Sequence, residues 1–168
     1  YLHLAGGSDD FVGADFSISY VAWDLPSNWS DTSNPNGVWS YGGRLSGGSF
    51  DLLSVQQSAW LMATLGANQP AWADGSDSTP GWCRSKGTSG LDFPAGRIGC
   101  HGPAIARWTS DFSGTVEVSG GLWLMRNLGR NQYWELRHNG VILSAGTLTW
   151  GSSSSSPLPL ASGIEGVG

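Results

Sequence analysis

Two short alternating runs joined by Asn139-Gly140 constrain the possible folds more than any other feature. The first run, QYWELRH, spans residues 132–138, and the second, VILSA, spans residues 141–145. Asn-Gly suits the positive φ angles of a type I′ turn, which joins antiparallel strands. Residues two apart in a strand share a face, so Trp134 and Leu136 lie together. The sequence therefore predicts a β-hairpin with these two side chains in the core.

The rest of the chain favours strands in the same way. It has 168 residues with 26 Gly, 10 Trp and only 12% charged residues, and it lacks long runs of helix-forming residues. Short apolar segments, such as residues 15–22, are separated by Gly, Asn, Asp or Ser, whereas residues 67–90 show no strand pattern and predict a long loop. We expect an all-β fold, an antiparallel β-sandwich of the jelly-roll type, as one domain over residues 1–168.

Charge and motif content argue against several function classes. The net charge is -5 and the only Lys is Lys86, so no basic stripe follows a phosphate backbone and nucleic acid is not an expected partner. No apolar run approaches membrane-spanning length, so membrane insertion is not expected. There is no GxSxG motif, and the three Glu and three dispersed His give no paired-acid or metal pattern. We expect a protein that is not an enzyme and has no cofactor.

The two cysteines, Cys83 and Cys100, flank a Gly-rich stretch without a second pair of metal ligands. A disulfide between them is the favoured prediction, and two buried thiols are the alternative. The disulfide would stabilise the fold by roughly 3 kcal/mol and would indicate an oxidising compartment. The start at Tyr1, with neither Met nor a leader, likewise predicts a processed secreted chain or a piece of one.

No metal site is predicted, although oxygen ligands cluster at two places. Ser8-Asp9-Asp10 with Asp15, and the segment 74–77, could hold a structural calcium ion, but neither has EF-hand spacing.

The tryptophans give the strongest indication of binding. A flat indole covers the apolar face of a pyranose while nearby polar side chains bond its hydroxyls. Five tryptophans in strand-like patterns are predicted to pack in the core: Trp23, Trp39, Trp108, Trp123 and Trp134. The predicted ligand-binding residues lie in loop-like segments, where an anchoring role is the alternative: Trp29, Trp72, Trp82, Asp74 and Asp77.

Three stretches of the chain resemble one known kind of domain. They are NPNGVWSYG, HGPAIARWTSDFSGTVEVSG and YWELRHNGVILSAG. The resembling domains are β-sandwiches of secreted bacterial proteins, often with a cell-surface sorting tail, and carry NPNGxWSYG, HPGxxxxxxxRWTAPxxGTYxVxG and a strand-NG-strand hairpin. His101 and Arg107-Trp108-Thr109 are the matching positions, although HPG is HGP here and the spacing to Arg107 is shorter. The resemblance covers about residues 24–168 and implies a noncatalytic jelly-roll module, similar to carbohydrate-binding modules, without catalytic residues.

The order of the segments differs from that family. Its domains close with a segment of the type LxVAAGDxIDFAVGxG, whereas this chain stops at LASGIEGVG, and residues 1–20, YLHLAGGSDDFVGADFSISY, resemble the closing strands. Residues 1–22 are therefore predicted as closing strands and residues 23–168 as the main body. The closing strands could pair with their own chain in a circular permutation, could complete a neighbouring subunit, or could reflect a tandem array cut within one repeat.

Two functions follow from these observations. The first is a secreted, extracellular or cell-surface module for adhesion or carbohydrate binding through loop aromatics, with a glycan as its partner. The second is a structural subunit of an extracellular filament or surface layer, with like subunits as partners, assembled by donor-strand exchange or tandem repetition.

Overall fold

The structure is a computed structural model that describes residues 2–5, 11–19, 23–43, 50–60, 69–75 and 80–160. These residues form strands, turns and loops, and no helix occurs among them. The strands run β1 Leu2–Ala5, β2 Phe11–Ser19, β3 Trp23–Asp24, β4 Trp39–Gly43, β5 Asp51–Leu52, β6 Val55–Trp60, β7 Gln69–Ala73, β8 Gly81–Arg84, β9 Ile98–His101, β10 Ala104–Trp108, β11 Glu117–Leu124, β12 Gln132–His138, β13 Val141–Leu148 and β14 Leu158–Pro159.

Within the described residues these strands make two antiparallel sheets that face each other. The smaller sheet has the order β13-β12-β1-β10-β4-β5. The larger has the order β14-β11-β2-β9-β8-β7-β6, with β3 paired to β2. Pairing between the named strands is antiparallel in every case. The prediction of an all-β antiparallel sandwich is confirmed.

The hairpin predicted from Asn139-Gly140 joins β12 to β13. Both turn residues have positive φ angles, 46° at Asn139 and 85° at Gly140, which is the geometry of a type I′ turn. Trp134 and Leu136 are buried, as the alternation predicts. The pairing shifts where Leu136 opposes Ser144 and the next residue, Arg137, opposes Ile142. Leu143 therefore lies in a β-bulge near the tip of the hairpin.

The two strands assigned from the first twenty residues lie at the centre of the sandwich. β1 pairs with β10 on one side and β12 on the other, and β2 lies between β11 and β9. Both strands thus pair with their own chain, one in each sheet. Residues 1, 6–10 and 20–22 of the predicted closing segment are outside the described residues.

The NPNG motif is a folding element whose polar side chains bond the backbone. The Asn34 side chain accepts from the Tyr41 N–H at 2.9 Å and donates to the carbonyls of Tyr41 and Leu53, both at 2.7 Å. Asn36 and Trp39 exchange two backbone hydrogen bonds around Gly37, whose φ is 56°. The motif therefore closes a tight turn and fixes the start of β4.

The segment with NPNG and the segment with RWT are neighbours in the smaller sheet. Trp39 opposes Trp108, and Tyr41 opposes Ala106. Trp39 and Tyr41 are buried in the core between the sheets, as expected for strand residues. Burial, with a smaller contribution from the Asp24 carboxylate, raises the pKa of Tyr41 above its usual value, so this phenol stays neutral in the fold.

The larger sheet carries a second, smaller core on its outer face. Phe93, from the loop between β8 and β9, packs there with Phe11, Cys83 and Met125. The His101 ring stacks on Phe11 with centroids 4.3 Å apart and is 7% exposed. Residues of the chain itself therefore cover this part of the outer face of the larger sheet.

Two glycines of the larger sheet lie directly against buried indole rings. A Cβ atom at Gly13 would lie 2.1 Å from the Trp123 ring, and one at Gly81 would lie 2.2 Å from the Trp60 ring. Both indoles are fully buried. Only glycine lets these rings lie flat on the sheet at this distance.

Candidate functional site

The three tryptophans predicted to bind a ligand are buried in the core between the sheets. Trp29 is 6% exposed, Trp72 is 5% exposed and Trp82 is fully buried. Each indole N–H already donates within the chain. Trp29 donates to the Asp31 carboxylate at 2.6 Å, Trp72 to the Ser30 carbonyl at 2.9 Å and Trp82 to the Gly42 carbonyl at 3.3 Å. The exposure that sugar stacking requires is absent at all three residues.

The expectation of a long loop over residues 67–90 is wrong, and this explains the burial of two of the three tryptophans. The structure places strands β7 and β8 in that segment, with Trp72 directly opposite Trp82. Pro70 is the second residue of β7, and the start of a strand tolerates proline. Both indoles face the smaller sheet.

Of the two aspartates named with the tryptophans, the structure describes only Asp74. Asp74 is exposed directly after β7, and Asp77 lies outside the described residues. Of the other suggested calcium ligands, residues 8–10 also lie outside, and Asp15 is paired with Arg97. Within the described part of the chain, no group of three or more His, Cys, Asp or Glu could hold a metal ion.

The predicted disulfide is not formed, and the register of the sheet explains why. Cys83 opposes Gly99 on the neighbouring strand, whereas Cys100 opposes Trp82. Because opposed residues share a face and successive residues alternate, the two thiols point to opposite faces of the larger sheet. Cys83 packs in the second core and Cys100 in the main core. A disulfide requires Cβ atoms about 3.5–4.5 Å apart with converging vectors, which this arrangement does not provide.

Both thiols are instead buried and should be unreactive in the native protein. Burial raises the pKa of Cys83 and of Cys100, which are each 1% exposed, so the reactive thiolate is disfavoured. We expect no labelling of native protein by a thiol reagent and two thiols labelled per chain after denaturation without reductant. A readout of zero thiols in the denatured, unreduced chain would contradict this assignment.

Several of the exposed large apolar side chains lie at the lateral edges of the sandwich, whereas others, such as Leu128 and Tyr133, do not. Three of them follow one another at the start of β13: Val141 is 65% exposed, Ile142 is 47% and Leu143 is 39%. Trp150, two residues after β13, is 49% exposed. These four residues are called the β13 edge. On the opposite side, Leu52 of β5 and Val55 of β6 are 40% and 41% exposed, and these two are called the β6 edge.

The two edges lie on opposite sides because of the strand order. β13 ends the smaller sheet on one side and β5 ends it on the other. β14 and β6 end the larger sheet, and β5 is joined to β6 by two residues. In the described residues, β13 pairs only with β12 and β6 only with β7. Their other backbone sides have no strand partner there.

Three polar side chains, those of Tyr133, Glu135 and Arg137, lie together on the outer face of β12, beside the β13 edge. Arg137 donates to the Glu135 carboxylate at 2.6 Å and to the Gly140 carbonyl at 2.9 Å. Glu135 is 8% exposed, so its carboxylate is largely buried although it lies on the outer face of the strand. Partial desolvation and the hydrogen-bonded Glu135 raise the pKa of Tyr133. The positive charge of Arg137 and the negative charge of Glu135 thus balance each other.

Sequence reasoning placed the hairpin but did not identify its tip as a surface feature. The signal was present, because Val141, Ile142 and Leu143 are consecutive. Alternation buries at most every second residue of a strand with one covered face, so three adjacent apolar residues leave at least one exposed. Trp150 gave no local signal of exposure.

No helix in the described residues could cross a membrane. Comparisons of the chain with protein-family models, curated proteins and solved structures found no significant match.

Proposed function

We propose that the protein is a noncatalytic structural module of an extracellular assembly, in which copies join side by side through the edges of their sandwiches. The main support for this proposal is that exposed apolar side chains lie at the β13 edge and at the β6 edge. A sheet edge with exposed apolar residues readily pairs with another chain. Edges on two opposite sides allow each copy to contact two neighbours, so that association can continue into a fibre or layer.

The charge and the tryptophans support this proposal. Only 12% of the residues are charged and the net charge is -5, so repulsion between copies is modest. The three tryptophans first considered for glycan binding are buried in the core. Their predicted exposure was the main argument for glycan binding, and it is absent. Donor exchange of residues 1–20 is not needed for this assembly, because β1 and β2 pair within the chain. The extracellular location rests on the resemblance to secreted domains.

The test is self-association of the purified chain over a wide concentration range, followed by light scattering and electron microscopy. We expect species larger than dimers that grow with concentration. Val55→Lys should stop growth at small oligomers, because a charge blocks the β6 edge. Thr115→Lys, an equivalent charge in an exposed segment between β10 and β11, should leave assembly unchanged. A chain that stays monomeric at every concentration would refute the proposal.

Glycan binding is a second candidate because Trp150 is 49% exposed. An exposed indole can stack on a sugar ring without unfolding the core. If it serves this role, binding of the chain to an immobilised polysaccharide will be lost on Trp150→Ala and largely kept on Trp150→Phe. Failure of the unsubstituted chain to bind any polysaccharide would exclude this function.

A further inference from the structure

The sequence along the β13 edge is self-complementary under a two-fold rotation. Exposed apolar residues lie at its start, Val141 to Leu143, and just after its end, at Trp150. Between them are the small or polar residues Ser144, Ala145, Gly146, Thr147 and Thr149, and Leu148, which is buried in the core. When two such strands run antiparallel, the start of each lies beside the end of the other. The three apolar residues at the start of each strand then lie beside Trp150 at the end of the other.

Among the described residues β13 has β12 as its only strand partner, and two features of the hairpin account for the exposure of this edge. The bulge at Leu143 turns the tip of β13 relative to β12, so the three apolar residues cannot all reach their own core. From residue 141 to residue 150 the chain has no charged residue and no proline, which are the usual protections of an edge strand. Arg137, which opposes Ile142 on β12, is engaged by Glu135 and by the Gly140 carbonyl.

We infer that β13 pairs antiparallel with β13 of a second copy, about a two-fold axis near Gly146. This arrangement extends the smaller sheet across both copies and places Leu143 of one copy near Trp150 of the other. The inference rests on the proposed assembly and assigns one of its two contacts. Because the contact is isologous, it closes on itself, and growth beyond a dimer requires the β6 edge.

The competing arrangement joins the β13 edge of one copy to the β6 edge of the next. It would be heterologous and open-ended, but it would set the long strand β13 against the two-residue β5 or the irregular β6, whose pairing is broken between Gln57 and Trp60. The apolar residues of the β13 edge would also face only Leu52 and Val55. The two-fold arrangement matches both strand length and apolar content.

The experiment uses the Val55→Lys chain, in which the β6 edge is blocked, and measures its dimerisation by sedimentation. Adding Thr147→Lys places a charge on β13 and should raise the dissociation constant of the dimer at least about tenfold. Adding Thr115→Lys should leave that constant unchanged. Far-UV circular dichroism of both variants checks that the fold is retained.

Disulfide trapping tests the antiparallel register independently. Leu143→Cys chains mixed with Trp150→Cys chains should form a cross-linked heterodimer under mild oxidation. Neither variant alone should cross-link, because residues 143 of the two copies lie at opposite ends of the contact. Cys83 and Cys100 do not interfere, since both are buried.

The outcomes separate this inference from the proposed function. If Val55→Lys reduces assembly and Thr147→Lys does not, the β13 contact is wrong, whereas the proposed assembly is retained. Cross-linking of Leu143→Cys chains alone would overturn the antiparallel register. Absence of any association in the unsubstituted chain would overturn both.

Discussion

Trp82→Ala is expected to lower the free energy of unfolding by about 3–5 kcal/mol. The Trp82 side chain is fully buried between the sheets, with its ring 6.0 Å from that of Tyr41 and its N–H on the Gly42 carbonyl. Truncation removes this packing, opens a cavity and leaves the Gly42 carbonyl without the indole. Denaturant unfolding monitored by circular dichroism measures the loss.

The matched control is the same truncation at the surface. Trp150 is 49% exposed, so Trp150→Ala should change the free energy of unfolding by no more than about 0.5 kcal/mol in the monomer. Equal effects at the two positions would contradict the burial assigned to Trp82. The contrast also matters for binding assays, because loss of glycan binding in Trp82→Ala would report unfolding rather than a lost sugar platform.

Gly13→Ala is expected to destabilise the protein by about 3 kcal/mol, at the upper end of the cost of overpacking a core. The new Cβ atom would lie 2.1 Å from Cε2 of the Trp123 ring. The indole cannot simply move away, since its N–H donates to the Asp92 carbonyl at 2.7 Å. Either the ring is displaced or β2 separates from its neighbours. Thermal and denaturant unfolding measure the effect.

A double-mutant cycle with Trp123→Leu tests the cause of that loss. If the clash is responsible, Gly13→Ala will cost much less in the Trp123→Leu background than in the native sequence, with a coupling energy of about 1 kcal/mol or more. Full additivity of the two substitutions would contradict the close packing of the ring on Gly13.

Local sequence signals predicted the parts of the fold that depend on neighbouring residues. Asn139-Gly140 specified its turn because positive φ angles are a property of those two residues. Trp39 and Tyr41 are in the core because they alternate with smaller residues directly after a tight turn. Trp134 and Leu136 follow the same rule.

The errors concern residues whose environment comes from distant segments. Trp72 and Trp82 looked like loop residues because their strands are short and one begins near Pro70. Their burial depends on the smaller sheet, whose strands come from elsewhere in the chain. Cys83 and Cys100 are close in sequence, yet the pairing of β8 with β9 puts their side chains on opposite faces of the larger sheet.

The sequence by itself determined that the chain forms strands and where its clearest hairpin turns, because alternation and turn chemistry act over a few residues. Tertiary structure decided which face of each alternating strand is covered. It also decided that Trp72 and Trp82 are buried in the core and that the apolar residues of the β13 edge remain at the surface. A β-strand has two faces and two edges, and only its partners from distant parts of the chain determine which of them contact water.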